Sequence, residues 1–416
     1  MGNNKLTSDA RKNVDVQEVF LVDFLRTPFS RSRPRDPERD VFHEYDADQL
    51  LGLVLKELVA RAPFEPEDVE DVITGCAYQV RQNWLYGGRH PVFLGELPVS
   101  VAAMGLDRQC GSSMSCVHVG AMEIMTGNAE VVIACGMEHM TRIPMGNDWV
   151  LRHAELADST RFPNHAKYDL ATGYSMIQTA QKLWEQTPGV TREDMDQWAL
   201  ESHAKAARAR DEGFFDGEIL PVEGRGPDGE PVLVKHDQSI REDSSLEDLA
   251  KLRVVSKGIE REGQITPGNA SPLNAGAAAC ALVSGKVVEE LAMKPLAKIR
   301  SMSWAGVSPG VMGSGPVPAS RKALKRSGLR VDEVDFWEIN EAFAIVPLHA
   351  AEVLGIERDR INVKGGAIAL GHPLGATGVR IVGTLARILQ LEGGRFGLAT
   401  ACVGGGQGVA TVLERV

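Results

Sequence analysis

The chain has 416 residues, 43% of them hydrophobic and 24% charged, with a net charge of −11 and an isoelectric point near 5.5. That length exceeds one ordinary core and implies two or three domains or a large duplicated unit, while the composition excludes a small disulfide scaffold, a collagen and a disordered chain. The acidic balance argues against a nucleic-acid partner, and no run approaches the roughly 18 consecutive apolar residues of a membrane span.

The opening segment, MGNNKLTSDARKNVDV, lacks the apolar stretch of a secretory signal. Leu6 stands where amino-terminal myristoylation needs Ser or Thr. Lys5, Arg11 and Lys12 suit a weak organellar presequence, but Asp9 and the missing apolar face oppose it, so the segment reads as a frayed terminus. Residues 19–25, β-branched and aromatic, predict a strand, and 47–61 predict a helix with leucines and valines at helical spacing. Between them lies SRSRPRDPERDVFH, whose four arginines, three acids and two prolines read as a solvated loop rather than a phosphate site. The role of this arginine-rich loop, 30–43, stays open.

Next come a strand over 71–75, a Gly/Ser-rich turn opening a helix over about 112–126, and a strand over 131–135. The charged, turn-rich stretch 141–264 reads as an insertion. Within it Thr191 and Asp194 have capping-box spacing ahead of a helix to about residue 210, and GRGPDGE is a turn. The last third repeats the earlier order: a helix ending at 322–326, a strand over 334–339, a helix from the Gly-rich His372 turn to 391, and a strand over 396–402. Asp71 and Asp335, Cys110 and His372, and Glu130 and Phe396 lie 264, 262 and 266 residues apart. This implies an internal duplication with one reactive side chain per half. Alternating strands and helices predict βαβ units and mainly parallel sheets.

Cys110 sits in LDRQCGSSMSC just before a small-residue helix, where a helix amino terminus lowers a thiol pKa. The alternative is a thiol packed as a small hydrophobe. His372, on the tight turn GGAIALGHPLGATG, could take that thiol's proton and hold an ion pair; a histidine satisfying turn carbonyls is the other reading. Cys402 precedes VGGGQG, whose backbone N–H groups could converge on an oxyanion. Asn340 and Glu341 follow the strand DFWEI, where an amide can hold a water or carbonyl oxygen or simply cap a turn. The six cysteines show no CxxC spacing, so reduced thiols are expected. His118, His139 and His349 read as packed or surface residues. No metal, dinucleotide or Walker pattern is present.

With these residues in place, the sequence resembles the thiolase family from about Gln17 to Val416. RQCGSS, GNASPLNAGAAA, VMGSGPVPASRKAL, NEAFA, GGAIALGHPLGATG and CVGGGQG stand in the family's order and spacing. The resemblance implies an α/β fold with a duplicated βαβαβαββ core in five layers, α-β-α-β-α, and an inserted loop domain. It divides the chain into an N-terminal core (17–140 plus 265–294), a loop domain covering coenzyme A (141–264) and a C-terminal core (295–416). It implies a ping-pong cleavage of 3-ketoacyl-CoA in fatty acid β-oxidation, with Cys110 as nucleophile, His372 as its base and Cys402 as the acid toward the departing carbanion. His372 with an Asn340-held water would form one oxyanion hole, and the backbone N–H groups of Cys110 and Gly404 the other. Ser271 would lie near the pantetheine and Arg241 near the nucleotide of CoA, a co-substrate; no permanent cofactor and no metal are implied.

Three positions depart from the family pattern: Asp107 and Lys364 replace asparagines, and Ser175 replaces the histidine of biosynthetic acetoacetyl-CoA thiolases. The last favours a degradative enzyme over that alternative; a decarboxylating ketoacyl synthase and a non-catalytic acyl-CoA-binding subunit are the other readings. The ending GQGVATVLERV resembles the thiolase subunit of bacterial fatty acid oxidation complexes. A homodimer, a homotetramer or a complex with a hydratase/dehydrogenase subunit is expected, in the cytoplasm or an organelle matrix.

Overall fold

The computed structural model describes residues 16–145, 158 and 160–416, so the expected frayed terminus lies outside the described residues apart from Val16. Its strands are β1 (Val19–Arg26), β2 (Ser30–Arg31), β3 (Asp71–Gly75), β4 (Ala102–Leu106), β5 (Val131–His139), β6 (Val222–Arg225), β7 (Pro231–Val234), β8 (Asn274–Ser284), β9 (Ala297–Gly306), β10 (Phe336–Ile339), β11 (Phe396–Val403) and β12 (Gln407–Glu414). The helices follow local chemistry. Asp46 and Gln49 form a capping box ahead of Ala47–Ala60, and Thr191 and Asp194 form the expected one ahead of Arg192–Asp211. Pro316–Ser327 begins on proline and stops at Gly328, whose φ is 74°. The GRGPDGE turn joins β6 to β7.

All strands but the β6–β7 hairpin form one sheet, in the order β4-β3-β5-β8-β1-β9-β12-β11-β10, with β2 added beside β8. Outward from the β1–β9 junction, the two sides list the same parts: opening strand, closing strand, the strand after the reactive turn's helix, and one more. β4 is the extra strand of the first half. The expectation of mainly parallel sheets is corrected. β3 runs parallel to β4 and β5, and β10 to β11, but every other pairing is antiparallel. A parallel neighbour needs a crossover helix, whereas β11 turns straight into β12 through Gly404, Gly405 and Gly406.

Strand alternation builds the layers. Val132 and Ala134 of β5 face inward onto the helix Ser112–Met125 through Met114, Val117 and Ala121. Val131, Ile133 and Cys135 face outward onto Leu50, Leu51 and Val54 of Ala47–Ala60. In the second half Ala399, Ala401 and Val403 share the inner core with Val379, Val382 and Leu385 of the helix Leu374–Glu392. Leu398 and Cys402 point the other way, toward Leu324 and Leu348 of Pro316–Ser327 and Ile345–Leu354. Helices, the first-half strands, two central helices, the second-half strands and helices make the five expected layers.

The two central helices meet at backbone distance. A Cβ on Gly378 would lie 2.1 Å from the Met114 nitrogen, and one on Gly136 would lie 2.1 Å from the Gly375 oxygen. Ser113 Oγ accepts the N–H of Val379 at 2.9 Å. On the outside, Arg26 of β1 is fully buried and bonds Glu218 at 2.8 Å and Asp237 at 2.7 Å, tying the 141–264 stretch to the sheet.

One sequence reading changes here. The arginine-rich loop is solvated only in part: Asp36, Pro37, Glu38 and Arg39 are exposed, but Ser32, Asp40 and Phe42 are buried and Arg31 and Arg33 half-buried. The cause is β2, which pairs Ser30 with Ala275 and Arg31 with Asn274. The ending GQGVATVLERV is mostly strand β12, buried between β9 and β11. Among the described residues no helix is long and apolar enough to cross a membrane.

Because a methyl group at residue 378 would collide with backbone rather than with a movable side chain, Gly378→Ala is expected to cost about 1–3 kcal/mol. Thermal unfolding would read this as a lowered midpoint; a melt superimposable on wild type would contradict the backbone contact.

Candidate active site

The reactive turn of the first half is braced by its own polar groups. Asp107 Oδ1 accepts the Gln109 N–H at 2.6 Å, and Ser112 Oγ accepts the Arg108 N–H at 2.9 Å while donating to the Gln109 carbonyl at 2.7 Å. Gln109 is held at φ 45°, a left-handed conformation unusual for a side-chain-bearing residue. Cys110 follows, 6% exposed, packed with Ala77, Tyr78, Met140, Ile143 and Leu374. The backbone N–H of Gly404, just past β11, favours the charged form of its sulfur, as does its own.

The expected low thiol pKa is overturned. Burial pushes the Cys110 thiol up to about 11, against the pull of those two N–H groups. Desolvation of a charged sulfur outweighs the helix terminus here. Cys402, fully buried on β11 opposite Gly408, is pushed up further, first by burial and then by the neighbouring Cys110.

The second half supplies a neutral imidazole. His372 is 4% exposed, and the φ of 112° at Gly371 bends the chain into it. Thr377 Oγ1 donates to the Pro373 carbonyl at 2.9 Å, which leaves the Thr377 hydroxyl oxygen to accept from His372 Nδ1 at 2.7 Å. This network assigns the proton to Nδ1 and leaves Nε2 as the acceptor. Asn340 Nδ2 stands 3.3 Å from Nε2. Burial and the charge of Arg380 push the imidazole down to about 3, so the resting pair is thiol and imidazole rather than the expected ion pair. Asn340 follows β10 with its N–H on the carbonyl of Thr400, two residues before Cys402, at 3.0 Å. Its Oδ1 is buried without a partner among the described residues.

The helix that follows His372 packs on the Cys110 turn, and Leu374, two residues after the histidine, shares the small apolar cluster around Cys110. Three anchors there escape a sequence reading. Asn274 Oδ1 accepts the His372 N–H at 2.8 Å, and its amide donates to the Ser30 carbonyl at 2.8 Å and Ser239 Oγ at 3.1 Å. Glu138, fully buried at the end of β5, accepts from Ala77 N at 2.9 Å, Asn83 Nδ2 at 2.8 Å and Gly375 N at 3.1 Å. Thr377 orients the imidazole. A carboxylate closing the apolar run VVIACGM was the one visible sign of these three. Glu341, singled out beside Asn340, is structural: it accepts from Trp198 Nε1, Ser202 Oγ, Asn362 Nδ2 and the Ile368 N–H at 2.7–3.1 Å.

The expected CoA contacts, Ser271 and Arg241, share a separate cleft with Arg31, Arg33, His203 and Ser239. The departures from the family pattern acquire local duties. Asp107 braces the Cys110 turn, Lys364 bonds Glu392 at 2.6 Å, and Ser175 caps the helix Met176–Glu185. His118 bonds Thr411 and His139 the Phe42 carbonyl inside the core, and His349 bonds Thr187. All six cysteines are free, and the described residues contain no group of three or more His, Cys, Asp or Glu that could hold a metal.

Comparison with known proteins places this geometry. The family described as "Thiolase, N-terminal domain" matches residues 19–286 and "Thiolase, C-terminal domain" residues 293–415. The chain is 40% identical to a 3-ketoacyl-CoA thiolase of Marinobacter nauticus over 97% of its own length and all of that protein. It is also 40% identical to one of Aliivibrio fischeri over 96% of its length and all of that protein. Among solved structures, human mitochondrial 3-ketoacyl-CoA thiolase aligns with a TM-score of 0.84 at 32% identity, covering 97% of this chain and all of that one. The Bacillus anthracis acetyl-CoA acetyltransferase aligns at 0.82, with the same identity and coverage.

A thiol titrating near 11 has little thiolate at neutral pH, and the fraction grows about tenfold per pH unit below that value. Alkylation of Cys110 by iodoacetamide, followed by peptide mass spectrometry, is expected to rise steadily from pH 6 to 9. A plateau by pH 7 would show a preformed thiolate.

Proposed function

This chain belongs to the thiolase family, and from that membership we propose how its own residues carry the cleavage of 3-ketoacyl-CoA by CoA into acetyl-CoA and a shortened acyl-CoA. The observation that carries the assignment is His372, whose Nδ1 is committed to Thr377 and whose Nε2 is left as the acceptor, facing the Asn340 amide. His372 Nε2 removes the Cys110 proton as the sulfur attacks the keto carbon. The resulting alkoxide is held by the N–H groups of Cys110 and Gly404. Collapse breaks the carbon–carbon bond and leaves an acyl group on Cys110. The acetyl-CoA enolate is stabilised by the Nε2–H just formed and by a water on Asn340 Oδ1, then takes its proton from Cys402.

In the second half-reaction the Cys402 thiolate deprotonates incoming CoA, whose sulfur attacks the acyl group. Cys110 leaves and recovers its proton from His372, and the cycle closes with no net proton change. Covalent catalysis splits one hard step into two easier ones. The high thiol pKa of Cys402 suits a group that must return a proton to carbon. Coenzyme A enters as co-substrate, and we assign no resident cofactor.

We read residues 141–264 as the loop domain over CoA, between the cores 17–140 plus 265–294 and 295–416, because His203, Ser239 and Arg241 line one wall of the cleft that holds Ser271. The degradative reading fits Ser175, which serves as a helix cap. A cytoplasmic location is in line with the bacterial relatives.

We also assign a homodimer. Among the described residues β4 is paired only on its β3 side, and Met104 on it is exposed together with Trp84, Tyr86 and Val99 nearby. A bare edge strand beside exposed aromatics is suited to pairing with a second copy.

Cys110→Ala is expected to abolish thiolysis, and Cys402→Ser to lower kcat at least about 100-fold. Wild-type rates should rise beyond the four-carbon substrate along a 3-ketoacyl-CoA series. Activity confined to acetoacetyl-CoA would favour the biosynthetic reaction, and wild-type turnover by Cys110→Ala would overturn the assignment. In sedimentation, the wild type should run at twice its 45.0 kDa chain mass and Met104→Asp as a monomer; a monomeric wild type would contradict the edge-strand dimer.

A further inference from the structure

The cleft that holds Ser271 carries an arginine cluster that the reaction above does not use. Arg31, Arg33 and Arg241 line it, and its other lining residues include no carboxylate. Several arginines elsewhere in this acidic protein find acids, Arg26 with Glu218 and Asp237, Arg192 with Asp196, Arg210 with Glu242 and Arg380 with Glu338. Among the described residues, none of the three cleft arginines has a carboxylate partner for its guanidinium.

Their placement is built by the backbone. The β2–β8 pairing sets Arg31 opposite Asn274, and the Ser32 N–H donates to the Leu273 carbonyl at 2.8 Å. Both contacts fix the loop against the segment that carries Ser271. Arg33 is held by its own N–H on Thr141 Oγ1 at 2.8 Å, and Arg241 by its N–H on His203 Nδ1 at 3.2 Å. Asn274 bonds at once to the Ser30 carbonyl and to the His372 N–H, so the arginine segment and the catalytic histidine hang from one side chain.

Like charges gathered on a half-buried wall without counterions repel one another. Burial, and then the charges of Arg241, Arg33 and Arg39, push the Arg31 guanidinium down to about 10. A polyanion in the cleft would reverse that repulsion, and guanidinium groups match phosphate with paired hydrogen bonds. Coenzyme A carries such groups, a pyrophosphate and a 3′-phosphate, at the end remote from its thiol.

We propose that Arg31 and Arg33, from the loop after β1, bind the phosphates of the CoA nucleotide together with Arg241. The proposal rests on CoA being the co-substrate. The loop then acts as a specificity element: it distinguishes CoA from thiols with the same pantetheine arm but no nucleotide. Arg35 and Arg39, on its exposed part, lie outside the cleft.

The test compares kcat/KM for CoA, 3′-dephospho-CoA and pantetheine as acyl acceptors in wild type, Arg31→Gln/Arg33→Gln and Arg31→Lys/Arg33→Lys. The glutamine variant is expected to lose the preference for CoA over pantetheine by about tenfold or more; the lysine variant should retain most of it. If dephospho-CoA shows the same loss, the pyrophosphate is the ligand; if the loss is confined to CoA, it is the 3′-phosphate. An unchanged preference in a glutamine variant that melts with wild type would overturn the proposal while leaving the thiolase reaction standing. Calorimetric affinities for CoA and pantetheine read the same ratio without turnover. A wild type that binds CoA through these arginines but never acylates Cys110 would sink the reaction alone.

Discussion

Backbone contact between the two central helices is the constraint on which the rest of the molecule depends. Ser112–Met125 and Leu374–Glu392 touch near their amino termini, at Met114 and Gly378, with Val379 bonded to Ser113. That contact places the turn before each helix, one ending in Cys110 and the other in His372, at the same end of the central layer. Glu138 reinforces it from the side, since one carboxylate accepts N–H groups from the first half at Ala77 and from the second at Gly375. A duplicated fold thereby makes one asymmetric site, with a thiol from one repeat and an imidazole from the other.

The same close packing sets the electrostatics. With water excluded, charge is costly on either group, so the thiol is pushed up and the imidazole down until both rest neutral. Two helix amino termini and the Gly404 N–H then supply positive potential where negative charge develops during reaction rather than before it. Proton transfer and attack are tied together: the proton that leaves Cys110 becomes the donor that steadies the enolate. A preformed ion pair would have spent that donor early.

Much of this was legible in the sequence, because local chemistry dictated it. The helix starts at Ala47 and Arg192 follow capping residues, and the repeat showed in the spacing of Cys110 and His372. Sheet direction was not legible, since β8 and β12 return antiparallel for reasons of connection length and half-burial that periodicity does not carry. The thiol's pKa was misjudged because a motif shows the helix terminus but not the desolvation around it. Thr377, Asn274 and Glu138 act through contacts spanning 5 to 237 residues, and only folding brings the distant ones together. The arginine loop was read as solvated because its charges nearly balance; the structure puts Asp36 and Glu38 outside, Asp40 inside and two of the arginines in the cleft.

The most direct test of the account is intact-protein and peptide mass spectrometry of the enzyme mixed with a 3-ketoacyl-CoA and no free CoA. The account predicts one acyl group per chain, shortened by two carbons and located on Cys110, which leaves when CoA is added. An adduct on Cys402, or release of acetyl-CoA without any acylated cysteine, would contradict it.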